Sequence, residues 1–222
     1  LLNQLSKSEI TMKTIALFGA TGGTGKWFLE AALEKGYHVR ALARKPEKLE
    51  LQHPALEIVE GDVLHAADVV RTIQNSQVVV SLFGHVKDSP EWLQTDGTKN
   101  IISAMKAAGV DKIISLSGGG LPFPAKDQPK LADKMIRFIM KVAVPKILND
   151  AIKHSEVLAS SGLKWIIVRA PRLTNDPPKG TYRVGWVGVN SSTKIARADL
   201  ADFILKQVES DEFLQQMPFV SY

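Results

Sequence analysis

The chain has 222 residues, 45% of them hydrophobic and 23% charged, with a formal net charge of +5. That size and balance suit one α/β domain with a sizeable core, and the basic residues are scattered without an aromatic platform, so no nucleic-acid partner is expected. The absence of cysteine excludes disulfides, thiol catalysis and cysteine-ligated metals, and no apolar run approaches the roughly 20 residues of a membrane span.

Residues 1–12 are read as a leader or disordered tail, and residues 13–222 as a single domain. The domain opens on KTIALFGATGGTGK, Lys13 to Lys26. Ile15 to Phe18 form an apolar run of strand length. Gly19, Gly22 and Gly25 follow at three-residue spacing, and a helix pattern runs from Gly25 to Lys35. Gly19 permits a tight turn, Gly22 lets backbone approach a ligand, and Gly25 lets the helix pack on the sheet. Free N–H groups and the helix dipole then favour a phosphate. The triplet alone is a weak signal, and the strand–turn–helix context strengthens it.

Gly36 is read as the helix stop, followed by a second strand over Tyr37–Ala43 and a short turn or helix at Pro46–Leu49. A third strand is expected at Leu56–Val59, a helix at Ala66–Gln74, a fourth strand at Gln77–Phe83 and a long helix over Trp92–Ala108, stopped by Gly109. Lys112–Ser117 is the fifth strand. Alternation of this kind implies a doubly wound parallel sheet with helices on both faces. Right-handed crossovers then bring the glycine turn and the ends of strands one, four and five to one edge, where ligands bind.

After Ser117 the pattern changes. Gly118–Pro129 is a glycine- and proline-rich loop, and Lys130–Pro145 is amphipathic and basic. Met135–Met140 is open to reading as core, lid or dimer face. Pro145 should break or kink the helical run that continues over Lys146–Ser161. Residues 118–150 together are expected to form a lid or insert, part of a small C-terminal substrate region. Leu163–Arg169 is the sixth strand and Pro171–Gly180 a loop. Short strands are expected at Thr181–Val184 and Trp186–Val189, a helix at Ile195–Val208, and a final strand at Pro218–Tyr222.

Arg44 and Lys45 follow the second strand, where a dinucleotide's adenosine ribose is expected. Two cations there favour a 2′-phosphate, hence NADP(H), over a bare 2′-hydroxyl. Asp62 and Val63 follow the third strand, where the carboxylate either accepts from an adenine amino group or caps its own turn. Leu82, Phe83 and Gly84 should pass beneath the cofactor, with His85 as a contact or simply polar surface. Ser117, at the end of the fifth strand, is a candidate donor to cofactor or substrate, or a serine satisfying its own backbone. Alcohol and ketone dehydrogenases of this type pair such a serine with Tyr-x-x-x-Lys. Of Tyr37, Tyr182 and Tyr222, none is followed four residues later by lysine. Hydride transfer to a flavin or quinone, which takes its proton from solvent, does not need that acid.

IALFGATGGTGK, ALARKPEKL, EGDVLHAADV, QTDGTKNIISAMKAAGVDKIISLS, SGLKWIIVRAPRLT and ARADLADFIL together carry a resemblance. The sequence resembles the atypical short-chain dehydrogenase/reductase group with NmrA-like, NAD(P)H-binding members, and most of all its biliverdin-IXβ reductase/flavin reductase branch. The resemblance implies a Rossmann-like domain. It implies that Gly19, Thr21, Gly22, Gly23, Thr24 and Gly25 wrap the pyrophosphate and that Pro171, Arg172 and Leu173 border the nicotinamide. The chain departs from the branch in Gly118–Asp150, and where the branch has a histidine before SGLKY it has Ser155, with His154 and Glu156 beside it. His154 is therefore a candidate catalytic residue, or a structural one.

The expected function is NADPH-dependent reduction of a small planar conjugated acceptor, a flavin, quinone or tetrapyrrole, by a cytoplasmic monomer or homodimer with no metal and no membrane partner. The rival is a non-catalytic NADP(H) redox sensor of the NmrA type. Isomerase or dehydratase action on a sugar is weaker, since those sites usually keep the tyrosine.

Overall fold

The computed structural model describes residues 13–222; the expected leader lies outside them. In chain order the elements are β1 (Thr14–Phe18), α1 (Gly23–Glu34), β2 (His38–Ala43), β3 (Leu56–Glu60), α2 (Ala66–Ile73), β4 (Val78–Ser81) and α3 (Leu93–Ala108). They continue with β5 (Lys112–Gly118), α4 (Leu131–Ala143), α5 (Pro145–Ala159), β6 (Lys164–Ala170), β7 (Arg172–Thr174), β8 (Arg183–Gly185), β9 (Lys194–Ala196), α6 (Arg197–Lys206) and β10 (Phe219–Ser221).

The main sheet runs β3-β2-β1-β4-β5-β6-β10-β8, parallel except for the antiparallel edge strand β8. This is the expected α/β doubly wound fold. Its central strands β1, β4, β5 and β6 are mostly apolar because both of their faces are covered. Alternation splits them between two cores. Ile15, Leu17, Val78, Val80, Ile114, Ile166 and Val168 face α1 and α6. Ala16, Phe18, Val79, Ile113, Trp165 and Ile167 face the layer of α2, α3 and α5. Each of these isoleucines or leucines, taken fully out of water, contributes about 1.5–3 kcal/mol, so a one-residue slip in register is strongly disfavoured.

Pro145 ends one helix and starts the next. Val144 leaves the helical region with φ −139°, and Pro145 occupies the first turn of α5, where its missing N–H costs nothing. α4 and α5 are thus separate helices.

Three local expectations are corrected. The Pro171–Gly180 loop begins with β7, which pairs in parallel with β9 through Leu173 and Ile195. Ile195 and Ala196 therefore belong to a strand, and the last helix starts at Arg197. Trp186–Val189 is a tight turn: Trp186 and Val189 exchange backbone hydrogen bonds at 2.9 and 2.8 Å, with Gly188 at φ +82° between them.

Candidate functional site

The glycine turn is built by close backbone approach. Gly19 sits at φ +92°, and a Cβ there would meet the Phe83 amide nitrogen at 2.5 Å. A Cβ on Gly25 would drive into the Gly19 carbonyl oxygen. Gly22 differs: the nearest protein atom to its Cβ position is the Gly19 oxygen at 3.3 Å. A side chain at Gly19 or Gly25 collides with the protein itself, whereas one at Gly22 makes a single tight contact, and Gly22 lines space that a ligand can take.

That space is a cavity of about 440 Å³ at the carboxyl ends of β1 to β4. It gathers residues scattered through the first half of the chain: Gly19, Thr21 and Gly22 from the turn, Arg44 and Lys45 after β2, Asp62 and Val63 after β3, and Leu82, Phe83 and Gly84 after β4. All were singled out from sequence. Gly23, Thr24 and Gly25 form the first turn of α1 behind the turn, with Thr24 buried. Asp62 also serves its own turn, its carboxylate accepting from the Leu64 amide at 2.9 Å.

Two cations escaped the sequence reading. Lys48 joins Arg44 and Lys45 in the lining; its place two residues past a proline was the available signal. Arg197, at the start of α6, lies against the glycine turn, its Nε 2.6 Å from where a Gly23 Cβ would stand, and its guanidinium donates to Asn175 at 2.7 Å. No local pattern links residues so far apart.

A second cavity, of about 380 Å³, lies at the ends of β5 and β6 beneath α4. Gly118, Gly119 and Gly120 line it together with Ile136, Phe219, whose ring packs on Gly119, and Met140, whose end packs on Gly120, while Asp133, Arg137 and Arg172 supply charge. Of the three residues expected beside the nicotinamide, Pro171 and Arg172 line this cavity, and Leu173 packs instead against the core below. Met135–Met140 is not core, since no residue of α4 is buried.

The loop of residues 118–130 is anchored by a buried ion pair that sequence could not reveal. Arg169, fully buried on β6, donates to both carboxylate oxygens of Asp127 at 2.8 Å and to the carbonyls of Leu121 and Met217. Asp127 also accepts from the amides of Phe123 and Val187. Burial pushes its carboxyl up, but Arg169 and these amide donors together hold it below the usual carboxylate range.

His85 and Asp150 form a second hidden link. Asp150, fully buried on α5, accepts from the Gln94 and Thr95 amides at the start of α3 and lies 2.6 Å from His85 Nε2. His85 is therefore turned toward α5, which steadies the loop after Gly84.

Ser117 and His154 line neither cavity. Ser117 is buried with its hydroxyl unpartnered. His154 is buried between α5 and β5, its Nε2 3.0 Å from Ser115 Oγ. Burial drops its pKa to about 4, against a smaller opposing pull from Asp150, so it is neutral near pH 7. The geometry gives it a structural place. The unfolded chain takes up this proton near 6.5, before the native one does. Stability due to His154 is therefore complete above about pH 6.5 and is lost as pH falls toward 4, by up to about 3 kcal/mol. Urea titrations across that range should show a shallower acid loss in His154→Gln than in the parent; parallel curves would contradict this.

None of the three tyrosines lines either cavity. Tyr37 donates to Glu209 and Tyr222 to Asp199. Tyr182 does meet a lysine, accepting from Lys206 at 3.0 Å, but on the α6 side of the sheet. Burial and Asp202 push its phenol up to about 12 despite Lys206, the opposite of an activated acid.

Among known proteins, a family described as NAD(P)H-binding matches residues 19–211. An uncharacterised chloroplastic protein of Arabidopsis thaliana is 27% identical over 79% of this chain, which spans 64% of that relative's length. Two solved structures share the fold. A Veillonella parvula short-chain dehydrogenase/reductase in complex with NADP has a TM-score of 0.76 at 18% identity, covering 95% of this chain and 94% of its own. ChuY, described as an anaerobillin reductase from Escherichia coli O157:H7, has a TM-score of 0.73 at 20% identity, covering 94% and 96%.

Proposed function

The chain belongs to the NAD(P)H-binding family, and on that premise we propose that it is an NADPH-dependent reductase of a planar conjugated acceptor such as a flavin, quinone or tetrapyrrole. The observation that carries this reading is the second cavity: an open, largely apolar space lined by three consecutive glycines at the strand ends next to the cofactor cavity. A pure sensor needs no such space, and an apolar lining of Ile136, Met140 and Phe219 suits a conjugated ring. The anaerobillin reductase that shares the fold supports this acceptor class.

The residues present fit a nicotinamide dinucleotide. The turn at Gly19 and Gly22 and the first amides of α1 would hold the pyrophosphate. Arg44, Lys45 and Lys48 would meet a 2′-phosphate. When bound, the cofactor supplies a hydride donor. Ile136, Met140 and Phe219 would give the ring an apolar bed in the second cavity. The two-electron reduction needs one further proton, and with every tyrosine engaged away from the cavities that proton comes from water.

Arg44→Ala should weaken NADPH binding by about 10–100-fold and leave NADH binding within about threefold, as loss of one charge-assisted phosphate contact predicts. Equal effects on both would remove the NADP preference. The activity is tested by steady-state NADPH oxidation with flavins, quinones and linear tetrapyrroles. Tight NADPH binding without turnover on any of them would favour the sensor.

A further inference from the structure

α4 carries one wide apolar arc, with its charged residues gathered on the remaining side. Its inner side gives Ile136 and Met140 to the second cavity. On its outer side Leu131, Met135, Phe138, Ile139 and Val142 recur at helical spacing and are 55–80% exposed. A contiguous apolar stripe of this kind on a soluble protein marks an interaction surface. Exposed Lys134 and Lys141 run along one edge of the stripe, with exposed Lys130 before the helix and Lys146 after it. The one carboxylate of α4, Asp133, is turned away to accept from the Lys130 amide and line the cavity.

An apolar stripe edged only by cations matches the interface of an anionic bilayer, where apolar side chains sink among the acyl chains and lysines meet the headgroups. A second copy of this chain fits less well: it would set two lysine-edged stripes together while the one carboxylate of each helix, Asp133, is held at its own cavity. We propose that α4 docks on an anionic lipid surface, and that the acceptor is a lipid-partitioning one, a conjugated ring bearing an alkyl tail, entering the cavity past the inner side of the same helix. The acceptor class rests on the reductase reading; the docking does not. No helix among the described residues is long and apolar enough to cross a membrane, so the attachment is peripheral and departs from the sequence expectation of no membrane partner.

The test is co-sedimentation of the full chain with vesicles of phosphatidylcholine alone and of phosphatidylcholine with about one third phosphatidylglycerol. Anionic vesicles should bind at least ~10-fold more tightly than neutral ones and release the protein at high salt. Phe138→Glu with Ile139→Glu should abolish binding while leaving circular dichroism unchanged, and Lys134→Ala and Lys141→Ala should each cost about fivefold. In parallel, NADPH oxidation is followed with a short, water-soluble quinone and with a long-tailed quinone in anionic vesicles. The double glutamate variant should keep the first rate and lose at least ~10-fold of the second. Failure to bind anionic vesicles overturns the docking. A dimer in light scattering that the double variant dissolves assigns the stripe to a second copy and overturns it too. Vesicle binding without oxidation of either quinone supports the docking and overturns the acceptor class; the reductase reading falls with it only if flavins and linear tetrapyrroles are not reduced either.

Discussion

Asp127→Ala is expected to lower the stability of the protein by about 3–5 kcal/mol, because it strands the buried Arg169 guanidinium without its counter-charge. Both side chains are almost fully removed from water, so the cost of an unpaired charge is not relieved by solvent. Arg169 would keep the Leu121 and Met217 carbonyls, which satisfy donors but do not neutralise charge. The melting temperature should fall by roughly 10 °C for a domain of this size. Replacing the pair by apolar residues, Asp127→Leu with Arg169→Met, should recover most of the loss, since removing both charges removes the desolvation cost as well. A loss below about 1 kcal/mol in the single variant would mean the pair behaves as an exposed one. The consequence is local as well as global. Asp127 also ties the Phe123 and Val187 amides, so its loss should loosen the wall of the second cavity before the sheet unfolds.

Gly25→Ala should reduce NADPH affinity by at least ~100-fold, about 3 kcal/mol, and destabilise the cofactor-free protein as well. The added methyl drives into the Gly19 carbonyl, so the turn must open and the α1 amides lose their aim. Gly22→Ala provides the contrast. Its methyl makes one tight contact, 3.3 Å from the Gly19 oxygen, and Gly22 lines the cavity, so the free protein should lose only a few degrees of melting temperature while affinity still falls by at least ~10-fold. Isothermal titration with NADPH, run beside thermal melts without it, separates the two. If Gly22→Ala lowered stability as much as Gly25→Ala, the distinction between protein packing and ligand approach would fail.

Much of the first cavity was legible because its chemistry is local. A parallel strand ends, and the next one or two residues face the ligand, so Arg44, Asp62 and Gly84 could be read from strand boundaries alone. Lys48 was missed because it lies beyond that window, in the turn that doubles back over the cavity. The two short strands β7 and β9 were missed for a different reason: three residues carry too little periodicity, and only their pairing with each other defines them. His154 and Ser117 illustrate the converse. Their positions in the chain suggested chemistry, yet alternation along β5 and the helical face of α5 turn both side chains into the packed layer.

By itself the sequence determined the α/β alternation, the glycine turn and the cations behind a nucleotide preference, since each depends on neighbours in the chain. Only the tertiary structure decided that Asp127 meets Arg169, that Asp150 holds His85, and that α4 covers a cavity while baring an apolar stripe. Those pairings span 42 and 65 residues. No periodicity reports them, because which buried charges meet is fixed only once the sheet has closed and each has to find its one partner out of water.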